Sequence, residues 1–345
     1  MPINLEGNLK TFHFREIHPR VFIGTASDRY AGWIGQIYSR DRYEGHITKR
    51  SRIVAGRPIT EEVLPVESVE EYFQHFPVLE IDFTFYRPLL NDGGEPTQSY
   101  RVLQNYKRYL KDGDRLVLKV PQIITAQKVH RGDQFLKNED YLTPKVFAEQ
   151  FYKPAVNLLG QNLTGFIFEQ EYQRKEDRTP VNEMARDLDK FFQAAPKDNR
   201  YHLELRTELY LRDQIFEVLE KHGVGQVLSH WTWLPPMRKQ FTKASGRFFN
   251  AGKECVIRLL TPLGMRYEDS YVKAYPFDRL IEGMLQPEMI LETVEIMKRA
   301  IEQGITINVL VNNRAGGNAP LVAKLIAEKF IGKHRVIPER QKSLW

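Results

Sequence analysis

The feature that most constrains this chain is an eightfold recurrence of strand-like runs separated by segments with helical spacing. The runs are Arg20–Thr25, Val78–Phe85, Arg115–Val120, Leu163–Phe168, Tyr201–Leu205, Gly225–Ser229, Glu254–Leu260 and Ile305–Asn312. Each has the length and the β-branched, aromatic or aliphatic composition of a strand covered on both faces. Apolar residues at three- and four-residue spacing mark helices over Val69–Phe76, Thr97–Leu110, Pro144–Leu159, Val181–Ala194, Leu211–His222, Pro287–Gln303 and Ala319–Phe330. Asp112-Gly113, Gly160, Gly223 and Gly304 stand where those helices would end. Such units build either a closed barrel or an open doubly wound sheet. The count of eight, and the lack of a glycine-rich dinucleotide fingerprint after the first run, favour an α/β fold made of one (β/α)8 TIM-barrel-like domain.

No linker or low-complexity tract divides the sequence. The pattern places the barrel at residues 20–332, with an N-terminal extension at 1–19 and a basic C-terminal tail at 333–345. With 345 residues, 42% of them hydrophobic, the chain can fill a core of this size. The long connections Ala26–Ser68, Gln122–Thr143 and Glu169–Thr179 all follow strands. In a barrel they gather at the C-terminal mouth, where active sites are built. The first of them is a long charged loop.

The N-terminus lacks the pattern of a secretory signal, and no stretch reaches membrane-spanning length, so a cytoplasmic protein without a membrane partner is expected. The single cysteine, Cys255, lies in the apolar run ECVIRLL and reads as a small buried hydrophobe. The formal net charge of +6 leans toward anionic partners without deciding among them. Nothing in the pattern indicates an oligomeric state.

Chemistry is concentrated at the strand ends. In VLEIDFTFY the two-residue period puts Glu80, Asp82, Thr84 and Tyr86 on one face, and in YHLELR it groups His202, Glu204 and Arg206. Lys119 lies near the end of the third run, and Arg258 interrupts the apolar seventh. Charges in such places need partners or a wet pocket. Pairings of Glu80 with Lys119, and of Glu204 with Arg206 or Arg258, are expected. The segment NNRAGGNAP supplies Asn312, Asn313 and a Gly316-Gly317-Asn318 turn whose N–H groups could meet an anion. Basic residues with interleaved aromatics recur in the mouth loops: Arg40, Arg42, Lys49, Arg50, Arg52 and Arg57 with Tyr38 and Tyr43; Lys128, His130 and Arg131; Arg238, Lys239, Lys243 and Arg247. That composition suits phosphate contact and base stacking. Acidic neighbours Asp41, Glu44, Glu61 and Glu62 could neutralise it.

No HExxH, GxSxG or Walker lysine is present, and no cofactor or metal motif is evident. Magnesium at Glu80, Asp82 or Glu204 is compatible with these residues but not demanded by them.

Taken together, IGTA followed by WIGQIYS, then FPVLEIDFTFY, LVLKVPQIIT, GFIFEQ, LELR, VIRLL and VLVNN resemble the YecE-like domain-of-unknown-function family from about Val21 to Phe330. The resemblance implies a TIM-barrel-like fold and an unestablished biochemical role. By motif it points to Trp33, Glu80, Phe85, Tyr86, Lys119, Thr125, Gln170, Glu204, Arg206, Arg258, Asn312 and Asn313. Asp82 stands where the family usually shows asparagine, and Ala126 and Leu260 replace two histidines. Their loss counts against histidine acid–base chemistry, and the chain is expected to be a divergent member with altered or lost activity.

The functional expectation is an enzyme of hydrolase or lyase type acting on an anionic substrate, either a nucleic acid or a small phosphorylated or carboxylated metabolite. Glu80 or Glu204 would be the acid or base, Lys119 would stabilise developing charge, and Arg206 with Arg258 would clamp the anion. Trp33, Tyr86, Gln170, Asn312 and Asn313 would complete the binding site. The alternative is a binding module for nucleic acid or a metabolite, without turnover.

Overall fold

The apolar runs pair edge to edge until the first meets the last. In the computed structural model, which describes residues 5–131 and 134–332, the strands are β1 (Val21–Ala26), β2 (Thr48–Val54), β3 (Arg57–Val63), β4 (Val78–Ile81), β5 (Arg115–Lys119), β6 (Lys128–Arg131), β7 (Gln134–Lys137), β8 (Leu163–Glu169), β9 (Tyr201–Glu204), β10 (Gly225–His230), β11 (Glu254–Leu259) and β12 (Thr306–Val311). Eight of them, β1, β4, β5 and β8 to β12, form a closed parallel barrel. Closure occurs where β1 pairs with β12 on one side and β4 on the other. The (β/α)8 architecture read from the sequence is therefore the architecture of the protein.

The remaining strands form two antiparallel hairpins on the mouth side, β2 with β3 and β6 with β7. The long charged loop after β1 is thus an ordered hairpin, and its Val54 and Ile59 pack against Tyr271 and Phe277. Helices Ser68–His75, Gln98–Lys107, Val181–Ala194, Asp213–His222, Pro287–Glu302 and Ala319–Phe330 lie near their expected positions. The expected helix Pro144–Leu159 contains a wide π-type turn at Ala148–Tyr152. Short helices at Met237–Lys243 and Tyr267–Ala274 carry too little periodicity to be read from sequence. Part of the N-terminal extension is packed on the barrel: the Phe14 ring stacks on Phe76 at 4.7 Å, and Arg15 binds Asp114 at 2.9 Å. The basic tail 333–345 lies outside the described residues.

One expectation fails at β4. The run Val78–Phe85 stays extended only to Ile81, and Phe83–Phe85 forms a single 3-10 turn. Thr84 drives the change, because its hydroxyl donates to the Lys119 carbonyl at 2.7 Å and is buried. Strand parity therefore ends at Asp82.

Inside the barrel, Val78, Val117, Ile167, Val227, Val256 and Leu310 form one buried apolar layer. Gly24 faces the same interior, and a Cβ on it would lie 1.8 Å from the Val78 carbonyl oxygen. A backbone atom cannot yield as a side chain can, so Gly24→Ala is expected to cost about 1–3 kcal/mol. A urea unfolding midpoint indistinguishable from wild type would contradict this reading.

Candidate functional site

The site follows from that apolar layer by the two-residue period. Moving two positions toward the mouth converts Val78 to Glu80, Val117 to Lys119, Ile167 to Glu169, Val227 to Ser229, Val256 to Arg258 and Leu310 to Asn312. A greasy plug thereby carries a charged floor. The residues Glu80, Lys119, Glu204 and Arg258 singled out by parity all lie in this floor, together with Arg206 just beyond β9.

Arg258 is its hub. Its Nε donates to Glu80 Oε2 at 2.8 Å and its Nη2 to Glu80 Oε1 at 2.5 Å. Its Nη1 donates to Glu169 Oε2 at 2.7 Å and also to Glu204 Oε2. Glu169 Oε2 additionally meets Lys119 Nζ at 2.8 Å and Arg206 Nη2 at 2.6 Å. Arg206 Nε lies 3.2 Å from Glu204 Oε1, a charge contact without hydrogen-bond geometry, and Ser229 Oγ donates to the same oxygen. Three carboxylates thus oppose three cations.

Electrostatics follow from burial and pairing. Burial opposes the charge on Glu169, but Arg206, Lys119 and Arg258 outweigh it and hold the carboxylate well below its ordinary range. Burial likewise opposes the Arg258 charge, and Glu204, Glu80 and Glu169 overcome it, raising the guanidinium well above its usual value. Glu80 and Glu204 are both fully buried. Arg258 has nearly all its N–H donors committed to carboxylates, which corrects its expected role as an anion clamp. The expected Glu80–Lys119 pairing is also replaced: Lys119 goes to Glu169 and Glu80 to Arg258.

Above the floor an inner cavity of about 230 Å³ is lined by Asp82, Tyr86, Lys119, Glu169, Arg206, Trp231, Tyr267 and Arg314, among others. An outer cavity of similar size, about 230 Å³, runs under the β2–β3 hairpin and shares Asp82, Tyr86, Tyr267 and Arg314 with it. Two of the shared residues are unlike their neighbours. Among the described residues, Asp82 has no hydrogen-bond or ion-pair partner for its carboxylate. Arg314 has no carboxylate partner; its guanidinium lies 4.0 Å from the Tyr267 ring centroid, and its Nε is buried without an acceptor. Lys119 keeps donors free while its ammonium sits 4.0 Å from the Phe85 ring centroid. The structure places Leu260 in the inner cavity wall. No histidine is among the residues lining either cavity.

Other expected site residues separate from the mouth. Trp33 is buried and donates from Nε1 to Asn313 Oδ1 at 3.1 Å, and Asn313 Oδ1 also accepts from the Ala319 N–H at 2.8 Å. These two residues tie the first mouth loop to the last helix. Gln170 and Thr125 line a small crevice with Met184 and Leu188 behind the barrel wall, because Gln170 has the outward parity opposite to Glu169. Tyr86 is exposed at the rim and Asn312 lines the inner cavity. Gly316-Gly317 offers no space for phosphate: a Cβ on Gly317 would fall 2.4 Å from the Arg279 carbonyl oxygen. Glu169, Asp82 as an unpartnered carboxylate, and Arg314 were not singled out by sequence reasoning. For Glu169 the signal was present, since it follows Ile167 by two residues in GFIFEQ.

The basic loops are largely neutralised by local pairs: Arg42 with Glu70 at 2.7 Å, Arg52 with Glu61 at 2.8 Å, Lys49 with Glu62 at 3.4 Å, Lys239 with Glu208 at 3.4 Å and Arg247 with Glu220 at 2.7 Å. Tyr38 and Tyr43, expected to stack on bases, are core residues at 2% and 1% exposure. Among the described residues, no group of three or more histidine, cysteine or acidic side chains is arranged to hold a metal ion. Both oxygens of Glu80 and Oε2 of Glu204 are engaged by Arg258, and Glu204 Oε1 by the Ser229 hydroxyl. No described helix is long and apolar enough to cross a membrane.

A family model described as a protein of unknown function, DUF72, matches residues 22–343. A DUF72 family protein of Thermotoga maritima superposes with a TM-score of 0.54 at 16% identity, over 90% of this chain and 98% of that one. Another, from Enterococcus faecalis, gives 0.54 at 14% identity, over 93% and 99%. Identities this low speak for the fold alone. No curated protein matches the chain.

Proposed function

The chain belongs to the DUF72 family, whose function is unknown, and we propose an enzyme of hydrolase or lyase type that takes an anionic substrate at the barrel mouth. The observation that carries this reading is the unpaired couple Asp82 and Arg314, shared by two joined cavities, whereas every charge of the floor beneath has an ion-pair partner. A carboxylate and a guanidinium left without ion-pair partners in one half-exposed cleft are available to a ligand that carries complementary groups.

In this reading Arg314, Lys119 and Arg206 bind the phosphate or carboxylate group. Asp82 accepts the proton from water or from the substrate carbon, and Lys119 stabilises the charge that develops. Glu80, Glu169, Glu204 and Arg258 hold those groups in place. The proton-transfer role considered for Glu80 and Glu204 thereby passes to Asp82, the acidic residue with a free carboxylate facing the cleft.

The test is a panel of phosphate monoesters, phosphodiesters and carboxylated metabolites assayed for binding and turnover with wild type, Asp82→Asn and Arg314→Ala. Asp82→Asn is expected to lower kcat at least 100-fold with little change in Kd. Arg314→Ala should weaken Kd at least tenfold, equivalent to about 1.4 kcal/mol. Binding that depends on Arg314 with no turnover for any compound would favour the non-catalytic binding module, and binding indifferent to Arg314 would sink both readings.

A further inference from the structure

We infer that the mouth has a third, base-stacking lobe, and that the anion bound there is part of a nucleotide. This rests on the proposed anion site and extends it. The loops after β8, β9 and β10 are consecutive around the barrel; the first and third bring three large rings together, and the second supplies Arg206, Glu208 and Arg212. Trp231 carries the Arg206 guanidinium 4.5 Å from its ring centroid. Tyr172 meets Trp231 edge to face at 5.9 Å and 70°, and stacks on Trp233 at 5.5 Å and 25°. Trp233 is 47% exposed and Tyr172 38%.

The two exposed rings line a cavity of about 290 Å³ with Arg178, Arg212, Lys243 and Glu208. The cations here are loosely held. Arg178 Nε donates to the Gln173 carbonyl at 3.2 Å, Lys243 Nζ stands 3.9 Å from Glu208, and Arg212 has no carboxylate partner among the described residues. Flat aromatic faces left in water beside under-neutralised cations match a ligand with a π-face and a phosphate joined to it. A neutral sugar would use the rings and leave the cations idle. An inorganic anion would do the reverse. Because Trp231 and Arg206 also line the inner cavity, the platform begins at the wall of the anion site. A nucleotide can therefore place its base on Trp233 and direct phosphate toward Arg206, either as a free molecule or as one unit of a single strand.

Tryptophan fluorescence and calorimetry with the full chain test this, using AMP, ribose 5-phosphate, a ten-nucleotide oligothymidylate and cellohexaose against wild type, Trp233→Ala and Arg314→Ala. AMP or the oligonucleotide should bind at least tenfold more tightly than ribose 5-phosphate; which of them binds more tightly tells a free nucleotide from a strand. Trp233→Ala should erase that advantage and leave ribose 5-phosphate binding unchanged, and Trp233→Phe should restore most of it. Ribose 5-phosphate bound in an Arg314-dependent way, with AMP no better and Trp233→Ala silent, overturns the base-stacking lobe and leaves the anion site standing. Failure of every anion to bind overturns both. Cellohexaose binding lost in Trp233→Ala overturns the nucleotide assignment in favour of a carbohydrate.

Discussion

Arg258→Met is expected to lower the unfolding free energy by about 3–5 kcal/mol, the usual consequence of removing one member of a buried ionic network. Arg258 holds Glu80, Glu169 and Glu204, and without it Glu80 would be left fully buried with no cation and Glu204 fully buried with only Ser229 and the Arg206 contact. Methionine approximates the arginine stem, so lost packing contributes little. The combined variant Arg258→Met, Glu80→Gln, Glu204→Gln separates the causes. If stranded charge is the cause, the triple variant recovers much of the loss, because a removed network costs less than a broken one. Urea unfolding monitored by circular dichroism reads both. A loss under about 1 kcal/mol for Arg258→Met, or no recovery in the triple variant, contradicts the role assigned to the hub.

Asp28→Asn is expected to stabilise the protein at pH 8 by about 1–2 kcal/mol and to have no such benefit at pH 4. Asp28 follows β1 beneath the outer cavity and is 1% exposed. Its Oδ1 accepts from the Tyr106 hydroxyl at 2.8 Å, while its Oδ2 is buried without a partner. Burial raises its pKa from 3.8 to about 6, with Arg29 and the Tyr106 hydrogen bond pulling downward and Asp82 pushing upward. Because the folded value is the higher one, the stabilising contribution of the protonated form is complete below about 3.8 and is lost as pH rises through about 6. The difference corresponds to about 3 kcal/mol, and a buried amide N–H without an acceptor offsets about 1 kcal/mol of the gain. Glu169 acts in the opposite sense, since its lowered pKa adds stability above the ordinary carboxylate range that is lost in acid, but it is common to both proteins and cancels in their difference. A wild-type-to-variant gap that does not change between pH 4 and pH 8 would contradict the raised pKa.

The two-residue period in the strands determined much of this molecule without help. It set the eight barrel strands and turned Glu80, Lys119, Glu204 and Arg258 inward, because a buried parallel strand has one face for the helices and one for the barrel interior. The same period, carried one residue further along GFIFEQ, marks Glu169 as inward and Gln170 as outward. It stopped being informative at Asp82, where a hydroxyl bond from Thr84 to the neighbouring strand bends the chain.

Which charges are engaged and which are free depends on how the barrel closes. Arg258 and Glu80 are 178 residues apart, and closing the barrel is what sets them, with Glu169 and Glu204, within hydrogen-bond reach. Sequence spacing carries no information about distances across a barrel, so it could not distinguish the fully engaged Arg258 from the unpaired Arg314. It could not reveal that Tyr38 and Tyr43 are core while Tyr172 and Trp233 face water, because that depends on where each mouth loop lands. Periodicity reports what is repeated along one strand; the candidate site is made from single residues at the ends of many.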